Sequence, residues 1–351
     1  MRLPNKKVGG RCSFPPHHQY VGRSMDYILY FLIRRCLQGI VVVFIAVFLI
    51  FMVMRMVPGD PVRLMVGGAA PDQVLERVAK ELGLKDPLFT QFWRYLKAIS
   101  HGDFGTSFIR PKSGGSVGGE AWDDTRAHAR AEVFDLIIER IPLTLLLAGM
   151  AMGWSIIIGI PLGIFAAIRQ GSWIDKIAEA FVSISISMPN FWLGIIFMLV
   201  VSIKLNILPS VGYKGFSYVI LPSFAVSLEL APILLRTIRS SMIDLLRMNF
   251  IRVARARGLS PFSILIKHCF RNSLVPLLNV LGVQIGILLG GVIVIEFVFN
   301  YPGLGLLTIY AVLQRDFPLI QGIVILFASV FVFINIIVDL LCSYVDRRIE
   351  F

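Results

Sequence analysis

Long apolar runs separated by short polar segments dominate the chain. A bilayer core about 30 Å thick needs about 20 apolar helical residues to cross it. Runs of that kind lie at Leu37–Val57, Leu143–Ile168, Ile177–Ile203, Tyr218–Leu235, Leu274–Val298 and Leu319–Val345. The pattern predicts an all-α integral membrane protein with about six transmembrane helices. The first run is too long for a signal-peptide core and lacks a small-x-small cleavage site, so it reads as a retained span.

The polar stretches divide the rest. Residues 1–24, with Pro15, Pro16, His17 and His18, read as a disordered tail, and Met25, opening MDYILYFLIRR, offers an alternative start. An N-terminal segment with the first span follows (25–57), then a long loop (58–140), then a core transmembrane domain (141–351) containing a basic loop at 236–272. Within the long loop, Pro71-Asp72 can open a helix that places Val74, Leu75, Val78, Ala79 and Leu82 on one face. An insert over 111–135 contains KSGGSVGG (Lys112–Gly119), a flexible stretch with no packing capacity.

Lys and Arg in short loops set orientation. Arg23, Arg34 and Arg35 precede the first span, Arg169 and Lys176 separate the second and third, and Arg347 and Arg348 follow the last. The loop between the fourth and fifth carries Arg236, Arg239, Arg247, Arg252, Arg255, Arg257, Lys267 and Arg271. All fall on one side, which predicts both termini in the cytoplasm and the long loop outside.

Composition agrees with the pattern: 56% of the 351 residues are hydrophobic and only 16% charged. The formal net charge of +12 suits basic loops against an anionic membrane surface. Nucleic-acid binding is disfavoured, because no basic stripe is interleaved with stacking aromatics outside the apolar runs. Cys12, Cys36, Cys269 and Cys342 form no CxxC pair, which argues against a zinc site or disulfide framework. No GxxxxGK[ST], HExxH or GxSxG occurs. The chain is therefore expected to bind no cofactor, and its energy source lies on another chain or in an ion gradient.

The basic loop carries a helical stripe of Met242, Leu245, Leu246, Phe250, Val253 and Ala254, with Gly258 for a turn and Ser260-Pro261 to start the next helix. Such a segment suits either docking into a cytosolic partner or contact with lipid head groups. Inside the spans, Pro161, Pro189 and Pro232 free backbone groups, either at ordinary kinks or at a gate. Gly282, Gly286 and Gly290 permit close packing within the chain or against another subunit. Glu229 is a mid-span carboxylate, which either pairs locally with Arg236 or faces a wet pathway and a cationic substrate group. Pro189, Asn190 and Gln284 are further pathway candidates.

Ordered short motifs add a resemblance. They include Pro58-Gly59-Asp60-Pro61-Val62, Glu81-Leu82-Gly83-Leu84, Gln91-Phe92 and Gly102-Asp103-Phe104-Gly105. Further along come Glu139-Arg140-Ile141-Pro142 with Thr144, Gly159-Ile160-Pro161-Leu162-Gly163, and Ser187 to Gly194 (SMPNFWLG). Arg252-Val253-Ala254-Arg255-Ala256-Arg257-Gly258-Leu259-Ser260, Glu296, Tyr301-Pro302-Gly303-Leu304-Gly305 and Arg315-Asp316-Phe317-Pro318 complete the set. From Met25 to Phe351 the chain resembles, in order, the permeases of ABC importers in the dipeptide/oligopeptide/nickel branch, of the first-permease type.

The resemblance implies a type I importer permease (MetI-like) fold in a bacterial cytoplasmic membrane. The implied cargo is a di- or oligopeptide or a glutathione-like solute; nickel or another small solute is the alternative, and an ion-coupled secondary transporter a more distant one. It implies as partners a second permease subunit, two cytosolic ABC ATPase subunits that use ATP, an external solute-binding protein and membrane lipid. It assigns the ATPase-coupling role to Arg252, Ala254, Arg255, Ala256, Gly258 and Leu259. Arg252 stands where the glutamate that names the general coupling motif is found.

Overall fold

A computed structural model of the chain describes residues 18–56, 62–63, 71–81, 83–111 and 130–345. Helix α1 (His18–Met56) is followed by α2 (Asp72–Glu81) and α3 (Leu88–Ser100). A two-stranded antiparallel ribbon, β1 (Thr106–Pro111) and β2 (Arg130–Glu132), leads into α4 (Val133–Ile168). Then come α5 (Trp173–Ser187), α6 (Asn190–Phe197) with a π-helical end Met198–Lys204, α7 (Ser217–Arg247) and α8 (Asn249–Ala256). A short lead-in, Pro261–Ser263 and π-helical Ile264–Phe270, enters α9 (Arg271–Val298), followed by α10 (Leu304–Gln314) and α11 (Phe317–Val345). Among the described residues, five helices are long and apolar enough to cross a membrane, or six if the bent α5–α6 pair counts as one span.

Four expectations are corrected. The stretch expected to be a disordered tail is helical from His18 onward, because adding turns to a formed helix costs far less than starting one; residues 1–17 lie outside the described residues, as do Pro58–Pro61, Leu82 and the Lys112–Gly119 insert. The second span begins at Val133, so the end of the expected loop is strand and helix. The third is broken by 100° between α5 and α6. Pro189 disfavours helical geometry at the residue before it, and Met188 is extended at φ −108°, ψ 128°. The fourth does not stop at Leu235 but continues to Arg247, which shrinks the basic connection to the α8 region.

That extension is held by a contact distant in sequence. Arg239 of α7 donates to Asp175 of α5 at 2.6 and 2.9 Å and lies 2.9 Å from Glu179, so a half-buried cation is matched by carboxylates. Arg247 also reaches Gln170 at 3.1 Å.

Small residues set the main helix packing. A Cβ at Gly159 would come 2.7 Å from the Ala231 carbonyl, and one at Gly163 2.7 Å from that of Leu235, so α4 and α7 meet almost backbone to backbone. Gly282 and Gly286 of α9 sit against Val338 and Phe331 of α11, so they serve contacts within the chain. Arg35 pairs with Asp339 at 3.0 Å, joining α1 to α11. The buried core runs along α4, α7 and α9 through Leu147, Val226, Leu230, Leu288 and Ile295. Large apolar side chains also cover the outside, including Ile40, Ile157, Phe165, Val283 and Phe333, as a lipid-facing surface requires.

At the end carrying α2 and α3, the expected apolar face of α2 forms, with Leu75 and Val78 buried against Val62. Gln91 donates to the carbonyls of Leu84 and Asp86 at 3.0 and 2.7 Å, fixing the turn between α2 and α3. Phe92 meets Phe51, Phe48 and Phe44 of α1 at 5.3, 5.5 and 5.9 Å between centroids.

Candidate functional site

The break in the third span opens a groove. Ending α5 at Ser187 and restarting at Asn190 leaves a gap against α7, a cavity of about 500 Å³ lined by Ser185, Ser187, Met188, Pro189, Asn190 and Glu229. Glu229 lies about 18 Å along α7 from its start at Ser217, near the middle of this helix. Its Oε2 accepts from the Asn190 amide at 2.7 Å. Of the alternatives the sequence leaves open for Glu229, an ion pair with Arg236 is not seen: among the described residues no ion pair involves Glu229. Gly291 of α9 covers the pair, since a Cβ there would lie 3.4 Å from Asn190 Nδ2 and 3.5 Å from Glu229 Oε2.

The fold thus gathers Pro189, Asn190 and Glu229 at one site. Gln284 is elsewhere: it is 2% exposed in the core, and its Nε2 has no hydrogen-bond partner among the described residues. Ser185, Ser187 and Gly291 complete the groove, although only the alternation of serine through the SISIS run (183–187) hinted at it.

The second candidate is the tip formed by α8. Met248 is extended (φ −70°, ψ 150°) and resets the helical phase after α7. The single stripe expected from Met242 to Ala254 is therefore split. Met242 is buried in α7, Ile251 and Ala254 turn inward, and Phe250 and Val253 turn outward. Ala254 is buried and anchors the tip, while Arg252, Arg255, Ala256, Gly258 and Leu259 are exposed. With φ at +77°, Gly258 closes the helix: its N–H reaches the Arg255 carbonyl at 2.9 Å and the Leu259 N–H that of Ala254 at 3.3 Å. Ser260 Oγ then accepts from the Ser263 N–H at 3.3 Å, with Pro261 in the first turn, as the sequence predicts. The result is a seated short helix with an outer face of Phe250, Val253, Leu259 and arginines.

The remaining motifs build a hub at the opposite end. Glu296, fully buried, accepts from Thr144 Oγ1 at 2.7 Å and from the N–H groups of Gly305 and Leu306 at 2.7 and 3.1 Å. The Thr144 hydroxyl itself accepts from the Leu304 N–H at 2.8 Å. The free amides that begin α10 are thus capped by side chains from α9 and α4. Gly303 is required by space, since any Cβ there would overlap the Glu296 carboxylate. Arg140 donates to the Pro302 carbonyl at 3.1 Å and Tyr301 to that of Leu143 at 3.0 Å; burial raises the Tyr301 pKa and keeps its phenol a donor. Beside the hub, Asp316 accepts from the Ser107 hydroxyl and from the Phe108 N–H, fastening the ribbon to the start of α11.

A helical bundle with spans long and apolar enough to cross a membrane, a polar groove along one broken span, a hydrogen-bonded hub at one end and an amphipathic tip at the other defines a polytopic membrane protein. Residues 159–351 match the binding-protein-dependent transport system inner membrane component, and residues 28–148 match the N-terminal region of such membrane components. Over 324 residues the chain is 37% identical to the glutathione transport system permease protein GsiC of Escherichia coli (strain K12), covering 92% of this chain and 100% of that protein. The same figures hold for GsiC of Shigella dysenteriae serotype 1 (strain Sd197). The fold is similar to a solved inward-facing form of the MetNI methionine ABC transporter, with a TM-score of 0.53 at 18% identity over 61% of this chain and 98% of that one. The chain belongs to the family of binding-protein-dependent transport system inner membrane components, and is a permease component of an ABC importer.

Proposed function

We propose that this chain is one of two permease subunits of an importer that carries peptide-like solutes, such as di- or oligopeptides or glutathione, across a bacterial cytoplasmic membrane. The observation that carries the proposal is the α8 tip. Ile251 and Ala254 root it in the core beneath α7, while Phe250, Val253, Leu259 and the exposed arginines remain for a partner. A helix both anchored and exposed moves the bundle when its partner moves. The partners that fit are separate cytosolic ATPases, which bind and hydrolyse ATP where this chain contributes no nucleotide site. Energy passes through the tip only as a difference between its docking contacts in the two states of the transporter.

In this reading both termini and the α8 end face the cytoplasm, in keeping with the basic residues gathered at Arg35, Arg239, Arg247 and Arg252. The ribbon, α2 and α3 then face outward, where a solute-binding protein delivers cargo. The full-length relationship to a glutathione permease supports a peptide-like substrate.

The test is mild solubilisation of membranes through a tag on this chain, followed by identification of what co-purifies and ATP-driven glutathione uptake in proteoliposomes. Co-purification of a second permease chain and P-loop ATPases is the expected result. Recovery of this chain alone in several detergents, with uptake that ignores ATP, would overturn the reading.

A further inference from the structure

The groove at Glu229 has chemistry that the coupling mechanism does not use. We infer that it is a subsite in the translocation path for the free ammonium group of the transported solute, an assignment that rests on the peptide-importer reading above.

Four observations converge. Glu229 is a carboxylate near the middle of an apolar helix long enough to span a membrane, and among the described residues its hydrogen-bond partner is a neutral amide, Asn190, at 2.7 Å. A carboxylate offers about four lone-pair sites, and one amide hydrogen leaves most of them open. Second, the side chain lines an open cavity of about 500 Å³, large enough for the end of a peptide. Third, the break at Met188–Pro189 ends α5 at this groove, so carbonyls of its last turn lack helical successors and carry the negative end of the helix dipole. Carboxylate, carbonyl and serine oxygens favour a cation that donates several hydrogen bonds. Fourth, Gly291 keeps α9 close over Glu229 and Asn190 without filling the space, which a larger residue there would occupy.

A primary ammonium carries one charge and three donors, and so matches one carboxylate surrounded by neutral acceptors. A divalent metal matches poorly, because among the described residues no group of three or more His, Cys, Asp or Glu side chains gathers here or elsewhere. The binding protein selects cargo first; this subsite makes a second reading of the same ammonium in the groove.

Proteoliposomes holding the whole importer, with binding protein outside, are given ATP and a pool of short peptides, half of them N-acetylated, together with glutathione. Luminal accumulation is read by mass spectrometry for the native protein, Glu229→Gln and Glu229→Asp. The Gln variant keeps an acceptor for Asn190 and loses only the charge. The expected result is an about tenfold fall in the ratio of free-amine to acetylated cargo for Glu229→Gln, with acetylated uptake unchanged and selectivity retained by Glu229→Asp. An unchanged ratio overturns the subsite and leaves the peptide importer standing. An equal loss of both cargo classes, or poorer recovery of the complex, assigns Glu229 to packing or to a neighbouring subunit and also overturns it. If the native importer hydrolyses ATP yet accumulates no peptide of either kind, the peptide reading itself fails and the ammonium assignment falls with it.

Discussion

Two glutamates, both placed where water is scarce, meet opposite treatment in this molecule. Glu296 is fully buried and accepts from a hydroxyl and two backbone amides, so its acceptor capacity is largely used. Glu229 accepts from one side-chain amide and faces an open groove. A buried polar group is costly unless its hydrogen bonds are made, and a network completed within one chain therefore behaves as structure. A polar group left partly unmatched beside open space has capacity for something that comes and goes. The same contrast separates the hub around Glu296 from the α8 tip, where Ile251 and Ala254 are satisfied by the core and Phe250 and Val253 are not.

The sharpest way to break this comparison is Glu296→Ala. It strands the Thr144 hydroxyl and the Gly305 and Leu306 amides at the start of α10, at a cost of about 3–5 kcal/mol. Membrane yield and the thermal midpoint in detergent should both fall. A stable, well-expressed variant would remove Glu296 from the hub. Thr144→Val is the milder form: it keeps the shape, deletes one hydroxyl, and leaves the Leu304 N–H without its acceptor, costing about 1–3 kcal/mol by the same measurement.

Much of this was legible in the sequence, and the gaps have physical causes. Apolar runs mark spans because a backbone in lipid must satisfy itself, and Gly258 with Ser260-Pro261 marked the end of one helix and the start of another. The length of α7 was hidden, because Arg236 and Arg239 look like the end of a span. Arg239 is tolerated only through Asp175 and Glu179, far away in sequence and invisible to a local pattern. The bend at Pro189 was hidden by apolar residues on both sides, and the phase of α8 by the single extended residue Met248. Glu296 stood out only as part of a motif, and its donors became evident once α4, α9 and α10 were brought together.

The tip offers the next test. A Cβ at Gly258 meets nothing within 4 Å, so a large side chain there enters the space assigned to a docked partner instead of the protein's own core. Gly258→Trp should lower melting no more than the small-residue control described next, yet reduce ATP-driven uptake at least about tenfold, equivalent to about 1.4 kcal/mol. The positive φ adds a local strain of about 1–2 kcal/mol, so Gly258→Asn serves as the control, because Asn tolerates that conformation without the bulk. Uptake lost equally in both variants would point to the turn itself; normal uptake by the Trp variant would argue against docking.

The smallest expected effect is the most informative about the comparison. Glu229→Gln replaces a carboxylate oxygen with an amide oxygen at nearly the same position, so the hydrogen bond from Asn190 survives. If Glu229 is maintained for what passes through the groove, the resting protein loses little when the charge goes. Removing an unpaired charge from the middle of an apolar span also removes a desolvation penalty. The stability of the purified complex, read from its thermal midpoint, should therefore change by no more than about 0.5 kcal/mol, and upward if it changes at all. A loss approaching that of Thr144→Val would mean that Glu229 completes a network of its own, and would move it into the same structural class as Glu296.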